Sequence, residues 1–388
     1  MSKSPAPPST GFKLSSLLNV NLLLVFVPLT LLARAAGLGD VAVFLAASLA
    51  IIPLAALVGH STEAVAARLG PGLGGLINAT LGNAAELIIT FFALRQGLVE
   101  LVKASVIGSI LGNLLLVLGL SLLVGGLKNG TQQFDRRVAS VNATLVILAF
   151  LALAIPTAFD EGLLTGSEGA GRELLFSEGI GIVMIVLYGL YLLYTFRTPK
   201  DTVGQDVQAE AHETHADQMP MNQALLLLAA STIGIVLMSE SLVGTVEAVG
   251  KSLGLSEFFI GIIVVPLIGN VAEHLVAIQV AHKNRMDLSL GISLGSSLQI
   301  ALFVAPVLVF MSLLFEKKLV LVFNTYEIIA LATASIVATL VSQDGESNWL
   351  EGAMLLVVYV VFGFGFFLLP EAATHVAPHR SLLLPLIR

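Results

Sequence analysis

The sequence predicts an all-α, polytopic membrane protein with about eleven transmembrane helices, arranged as one N-terminal helix followed by two inverted five-helix repeats. Three observations lead to this prediction. Of the 388 residues, 56% are hydrophobic and only 12% are charged, whereas a soluble domain carries about 25% charged residues. The hydrophobic residues form continuous runs of membrane-spanning length. Two blocks of polar sequence recur at a constant separation.

The composition excludes several classes of protein. So few charged residues cannot cover a water-soluble globule of this size, which excludes a soluble enzyme and a disordered protein. The formal net charge of −7 argues against a nucleic-acid partner. The sequence contains no cysteine, so disulfide frameworks, zinc thiolate sites and thiol nucleophiles are excluded. An integral membrane protein remains.

Eleven apolar runs are long enough to cross a bilayer, whose hydrocarbon core needs roughly 20 residues of helix. They lie at 17–37, 41–59, 74–96, 99–126, 137–158, 177–197, 220–244, 256–281, 287–315, 319–342 and 348–369. The first run is too long for a signal peptide and lacks a small-residue cleavage pattern, so we expect it to be retained.

These runs divide the chain into five segments. They are an N-terminal tail with the first helix (1–40), a first repeat of spans 2–6 (41–197), an acidic hydrophilic linker (198–219), a second repeat of spans 7–11 (220–369) and a C-terminal tail (370–388). The linker is interpreted as a solvated connector, or alternatively as an acidic surface that concentrates cations at one mouth of a pathway. A count of ten Lys and Arg inside against nine outside favours a cytosolic N-terminus.

An internal repeat has a constant offset of 187 residues. The residues TLGNAAELIITFFAL around Glu86 correspond to LIGNVAEHLVAIQVA around Glu273, and the match continues from Gly108 and Ser109 to Gly295 and Ser296. The first copy occupies spans 3 and 4 and the second occupies spans 8 and 9. Five crossings separate the copies, and this odd number makes them face opposite directions. Inverted repeats of this kind build alternating-access transporters, whose binding site lies at the midplane between the repeats.

The repeated polar residues predict a cation- and proton-binding site. A carboxylate at mid-bilayer costs about 2.5–3.5 kcal/mol, so two related ones need a compensating role. Helical spacing places an amide three residues before each glutamate, on the same face. A hydroxyl and a further amide lie on each following span. The predicted set is Glu86, Glu273, Asn83, Asn270, Ser109, Asn113, Ser296 and Gln299.

All of these groups offer oxygen, which is the ligand that a hard cation prefers. Calcium takes 6–8 oxygens in tolerant geometry, and two glutamates neutralise its charge, so Glu86 and Glu273 are the predicted metal ligands. Soft metals favour sulfur or imidazole instead. The same carboxylates bind protons once the cation leaves, because two bare charges in a low dielectric repel each other. The alternative is that both glutamates are structural and that both serines belong to helix contacts of small residues.

Three residues are predicted to interrupt the helices near the site, and three more are secondary candidates. Gly82, Gly269 and Pro266 can unwind the helix locally and free backbone carbonyls as further ligands. The secondary candidates are Glu240, as a proton relay or a gate of the cytoplasmic path, Thr90, one turn after Glu86, and His274.

Two matches to enzyme motifs are discounted. The residues GPGLGG at 70–75 fit a dinucleotide-binding pattern, but no strand precedes them. The residues GISLG at 291–295 fit a nucleophile elbow, but they lie in an apolar helix. We therefore predict neither an enzyme nor a cofactor, while an intramembrane serine hydrolase is the enzymatic alternative.

The two blocks resemble the paired signature repeats of the calcium/cation antiporter superfamily, and within it the calcium/proton exchanger (CAX-type) branch. The resemblance is carried by GNAAEL at 82–87, GNVAEH at 269–274, GSILGNLLLVLG at 108–119 and GSSLQIALFVAP at 295–306. It implies cation coordination by Glu86 and Glu273, with the six neighbouring polar residues around the pathway. It also implies a first helix outside the repeat and a cytosolic acidic segment between the halves. Sodium/calcium exchangers of the superfamily carry Ser or Thr before a Pro-Glu pair where Asn stands here, which disfavours sodium.

The sequence thus predicts a secondary active antiporter that exchanges Ca²⁺ for H⁺ by alternating access. Its partners are the two transported ions and the lipid bilayer, with no nucleic acid, and its oligomeric state is left open. The expected location is a prokaryotic cell (inner) membrane. One alternative is an exchanger of the same fold that is driven by Na⁺ or moves another divalent such as Mn²⁺. A second alternative is a passive cation channel.

Overall fold

The structure, a computed structural model, describes residues 20–163, 169–197 and 219–370. Within them the chain forms helices joined by short connections. The helices are α1 (Val20–Ala36), α2 (Asp40–Leu81), α3 (Ala84–Arg95), α4 (Val99–Asn129), α5 (Arg136–Leu163), α6 (Gly169–Arg197), α7 (Met221–Val243), α8 (Val246–Leu253), α9 (Glu257–His282), α10 (Met286–Ser312), α11 (Thr325–Val341) and α12 (Trp349–Leu368). Two short strands, β1 (Gln132–Gln133) and β2 (Glu346–Ser347), pair antiparallel. The predicted linker and both tails lie almost entirely outside the described residues.

A helix lies over each of the eleven predicted apolar runs, as far as the described residues reach. Among the described residues, eight helices are long and apolar enough to cross a membrane, and they include α4, α9 and α10. The helices α1 and α11 are apolar but shorter. The predicted third run, 74–96, is formed by the end of α2 together with α3.

The boundary between the second and third runs is a sharp break rather than a loop. The backbone leaves the helix only at Gly70, with φ 79° and ψ 173°. Glycine adopts positive φ without a steric penalty, and Pro71 follows, where a helix can restart because its first turn needs no N–H donor. The pattern GPGLGG, which fits a dinucleotide-binding motif, therefore forms a kink between two helical segments.

The core of the bundle lies around α4 and α10, and the lipid-facing rim includes α6 and α12. In the most apolar window of α4, 83% of the residues are buried in protein, against 22% in α6 and 17% in α12. Helix α2 packs along α7, and this contact joins the first half of the chain to the second.

The repeat is visible in the backbone. A π-helical turn lies at Gly112–Val117 in α4 and another at Ile300–Val304 in α10. With the offset of 187 residues the two turns end at equivalent positions, and their starts differ by one residue. Each turn lies a few residues after the repeated serine of its helix. π-Helical turns are frequent at functional sites.

Hydrogen bonds join the connections at each end of the bundle. We call the end where α6 finishes and α7 begins the linker end. There the pairing of β1 with β2 is extended by the Gln132 side chain, which donates to the carbonyl of Ala281 at 3.0 Å and to Asn284 at 2.9 Å. Arg68 also donates to the carbonyl of Met219 at this end.

At the opposite end, other connections contact one another. Lys317 donates to the carbonyl of Gly97 at 3.0 Å, and the backbone N–H of Phe323 donates to Thr157 at 3.0 Å. No hydrogen bond described here links a connection at one end to a connection at the other.

Candidate cation site between the two repeats

The first glutamate motif lies at a break between two helices. Helix α2 ends at Leu81, α3 begins at Ala84, and Asn83 between them has φ −98° and ψ 23°. The break predicted at Gly82 is therefore present, although the non-helical residue is Asn83. Glu86 follows in the first turn of α3 and is buried, with 8% of its surface exposed.

The second motif lies in an uninterrupted helix. The segment Val265–His282 runs through Gly269, Asn270 and Glu273 without a break, so the expected unwinding at Gly269 is wrong for this structure. Glycine permits a break but does not cause one, and here the backbone hydrogen bonds of the helix are kept. Pro266 does lie beside a departure from the α-helix, since a π-helical turn occupies Ile260–Val264 just before it.

The two motifs face each other across the bundle. A Cβ atom added to Gly269 would lie 3.4 Å from Oε1 of Glu86 and 3.6 Å from its Cδ. The Glu86 carboxyl group thus lies against α9 at Gly269, close enough for van der Waals contact with a Cβ atom there. Glu273 lies one turn further along the same face of α9, and its charge acts on Glu86.

Three hydrogen bonds between the remaining polar residues join one repeat to the other. Asn83 donates to Gln299 at 2.7 Å, and Asn113 donates to Ser296 at 3.1 Å. Asn270 donates to Ser109 at 3.3 Å and also to the carbonyl of Pro266 at 3.1 Å. The structure therefore brings all eight predicted site residues to one interface.

The two repeated asparagines keep one acceptor each for a ligand. Their Nδ2 atoms donate as described, whereas Oδ1 of Asn83 and Oδ1 of Asn270 are buried without a hydrogen-bond partner among the described residues. A buried amide oxygen that is left unmatched costs about 1–3 kcal/mol. Within the described ranges no group of three or more His, Asp or Glu could hold a metal, so a cation here would rely on two carboxylates supplemented by amide oxygens.

The secondary candidates take less direct positions. The Thr90 hydroxyl donates to the backbone carbonyl of Glu86 at 2.5 Å, so it bonds its own helix rather than the carboxylate. His274 is buried beside Glu273. Glu240 is half-buried in the last turn of α7, away from the linker end. Its role as a proton relay or as a gate of the cytoplasmic path stays a prediction.

Sequence reasoning missed a buried group of charges at the opposite end. Lys103 in α4 is 5% exposed and lies 3.3 Å from Glu100. Glu327, at the start of α11, is 1% exposed, and it interacts electrostatically with both. The signal was present, because a lysine stands inside the fourth apolar run. It faces a different side of α4 from Ser109 and Asn113, so we place it outside the cation site.

The whole chain was compared with known proteins. The profile of the family described as "Sodium/calcium exchanger protein" matches residues 39–197 and 223–368. The chain belongs to this family. Within this exchanger family it is similar to a Ca²⁺/H⁺ antiporter of Aphanothece halophytica, with 45% identity over 361 residues that cover 90% of this chain and 96% of that protein.

A second similar exchanger is the Ca²⁺/H⁺ antiporter ChaA of Bacillus subtilis, with 43% identity over 344 residues that cover 88% of this chain and 97% of that protein. The solved structure of native YfkE is 41% identical, with a TM-score of 0.78, and covers 90% of this chain and 100% of that chain. The resemblance to calcium/proton exchangers is thus confirmed, and so is a mostly helical, integral membrane fold.

Proposed function

We propose that this chain is a Ca²⁺/H⁺ antiporter of a prokaryotic cell membrane, and that Glu86 and Glu273 bind either the cation or protons. The observation that carries the proposal is the apposition of the Glu86 carboxyl group to Gly269, on the face of α9 that bears Glu273. The names of the two bacterial relatives support calcium and protons as the exchanged ions.

The oxygens at this interface suit calcium. Glu86 and Glu273 supply four carboxylate oxygens, and the unmatched amides of Asn83 and Asn270 supply two more. These six oxygens reach the lower limit of the 6–8 that calcium takes, and the two negative charges balance the ion. Gln299, Ser109 and Ser296 accept hydrogen bonds from the asparagines or their neighbours, which fits residues that surround the ligands.

Exchange follows from competition for the same carboxylates. When the cation leaves, two carboxylates remain in a low dielectric, where each disfavours the charge of the other. Protonation removes this repulsion, and release of the protons restores the cation site. Access from alternate sides of the membrane then makes the flow of one ion depend on the counterflow of the other.

The inverted topology with eleven crossings and a cytosolic N-terminus is part of the proposal. In a chain with this topology, successive connections between the helices lie on alternate sides of the membrane. The contacts of β1 with β2, of Arg68 with Met219 and of Lys317 with Gly97 each join connections that this topology puts on one side. The equivalent π-helical turns of α4 and α10 support two related halves.

The proposal is tested with the purified protein in liposomes. An interior more acidic than the bath should drive uptake of radiolabelled Ca²⁺ by the wild-type protein, and Glu86→Gln should abolish it. Glu247→Gln is a matched control, because Glu247 is 65% exposed and pairs only locally with Lys251. Retained uptake by Glu86→Gln would refute the shared-carboxylate mechanism.

Further arms separate the alternatives. Uptake that a sodium gradient drives without a pH gradient would indicate sodium exchange, and preferred uptake of Mn²⁺ would change the assigned substrate. Flux that neither saturates nor needs a pH gradient would indicate a channel.

A further inference from the structure

A groove opens toward the lipid between α5 and α6, far from the cation site in sequence and on the rim of the bundle. It has a volume of about 440 Å³ and is lined by Ser140, Val141 and Thr144 of α5 and by Leu190, Tyr191 and Tyr194 of α6. Leu190 is 57% exposed and Tyr194 is 50% exposed. The groove therefore combines an apolar floor with hydroxyl groups along its rim.

Arginines stand at one mouth of this groove. Arg137 precedes Ser140 by three residues and Thr144 by seven, a spacing that puts them on one face of α5. Arg197 follows Tyr194 by three residues on α6. Because α5 begins and α6 ends at the linker end, these arginines and Arg136 lie at the same end of the bundle.

Among the described residues, the guanidinium groups of these arginines form no ion pair. Arg136, Arg137 and Arg197 are all exposed. Asp135 adjoins them in sequence, but its carboxylate accepts hydrogen bonds from the backbone N–H groups of Arg137 and Val138. The exposed guanidinium groups are thus left for an anion at the membrane surface.

We propose that the groove between α5 and α6 binds one anionic glycerophospholipid. The phosphate pairs with Arg137 and Arg197, since guanidinium groups bind phosphate oxygens in a bidentate manner. The ester groups lie beside Ser140 and Tyr194, and an acyl chain runs along Val141 and Leu190.

The dimensions of the groove agree with this assignment. From Arg137 to Thr144 the helix rises by about 10 Å, which carries the lipid from its headgroup into the hydrocarbon region. Basic pockets between membrane helices on the cytoplasmic side are known to take anionic headgroups, and the linker end is the cytosolic end in the topology proposed above. The binding of lipid does not depend on the transported ion.

The experiment is a lipid titration of the full-length protein in a neutral detergent, followed by native mass spectrometry. Dioleoyl phosphatidylglycerol and dioleoyl phosphatidylcholine share their acyl chains and differ in charge. We expect half-saturation by phosphatidylglycerol at a concentration about tenfold lower than for phosphatidylcholine. Higher salt should reduce this preference, because screening weakens exposed charge pairs.

Two variants and one control locate the lipid. The double variant Arg137→Gln with Arg197→Gln should lose the preference, whereas Lys251→Gln with Lys317→Gln, which removes two charges at the opposite end, should keep it. Thr144→Trp fills the groove and leaves the arginines intact, and it should also abolish retention of phosphatidylglycerol. Size-exclusion profiles confirm that each variant is folded.

Three results would overturn the proposal. They are equal binding of the two lipids by the wild-type protein, a preference that survives the double arginine variant, and a preference that survives Thr144→Trp. A preference that survives Thr144→Trp would mean that the arginines bind anionic lipid without the groove. A fourth result that would overturn it is a dimer whose mass excludes lipid, because a second copy of the chain would then cover this face.

Discussion

The two glutamate motifs carry the same residues in different backbones. In the first repeat the motif starts at a break, with Asn83 outside any helix and Glu86 in the first turn of α3. In the second repeat Asn270 and Glu273 lie within a continuous helix, preceded by a π-helical turn. In both repeats the asparagine amide donates across to the other repeat. Equivalent chemistry is thus presented from two conformations.

At the glutamate motifs the two repeats therefore share their polar groups but not their backbone geometry, whereas the π-helical turns of α4 and α10 are alike. If two inverted halves exchange their conformations during transport, the binding site stays between them while access changes sides. The asymmetry between a broken and an unbroken motif is then a property of one state of the cycle. Variants made at equivalent positions of the two repeats can test how far the two motifs differ in function.

The largest effect is expected for the glutamates themselves. Glu86→Gln and Glu273→Gln should each reduce proton-driven Ca²⁺ uptake at least a hundredfold, about 2.7 kcal/mol, because each removes one of the two charges that balance the ion. The measurement is the initial rate in liposomes with an imposed pH gradient. If one variant transports normally, the two motifs do not share the ion.

The next effect concerns a pair of equivalent glycines. A Cβ atom on Gly108 would lie 2.0 Å from the carbonyl oxygen of Ile262, whereas one on Gly295 would meet nothing within 4 Å. Gly108→Ala should therefore cost about 1–3 kcal/mol of stability, as overpacking does, while Gly295→Ala should change little. Thermal unfolding of the purified variants in detergent checks this. Equal melting temperatures would contradict the close approach of α4 and α9.

A smaller effect should separate the two asparagines. Asn83→Leu and Asn270→Leu each remove an unmatched amide oxygen, so each should raise the half-saturating Ca²⁺ concentration about tenfold, the scale of lost contacts around a metal. We expect a larger change in this concentration for Asn83→Leu than for Asn270→Leu. The hydrogen bond from Asn83 to Gln299 is 2.7 Å long, whereas that from Asn270 to Ser109 is 3.3 Å long. Concentration series of initial uptake rates provide both constants. An unchanged constant in both variants would exclude the amides as ligands.

The smallest effect is expected at Thr90. Its repeat equivalent, 187 residues later, is Ala277, and its hydroxyl bonds the backbone carbonyl of Glu86. Thr90→Ala should therefore change the half-saturating Ca²⁺ concentration less than about twofold, since the hydroxyl bonds only its own helix. A tenfold change would show that Thr90 acts on the carboxylate after all.

Much of the site could be predicted because polar residues in apolar runs are few. The offset of 187 residues singled out Glu86 and Glu273, and helical spacing placed their neighbours on the same faces. The structure brings these groups together at one interface. Whether they bind the transported ions remains the proposal that the uptake experiments test.

The sequence could not predict how the backbone behaves at Gly70 and Gly269. Both are glycines in apolar surroundings, yet one adopts positive φ and the other continues a helix. Glycine allows either conformation, and packing against neighbouring helices decides between them.

The pairing of β1 with β2 has a consequence for the integrity of the molecule. One strand belongs to the first half of the chain and the other to the second, and α2 packs along α7 in the same way. The covalent connection between residues 197 and 219 is therefore not what keeps the halves together. A molecule cleaved there by a protease should stay together as a single particle during purification. Two separately expressed halves should assemble with each other in the membrane.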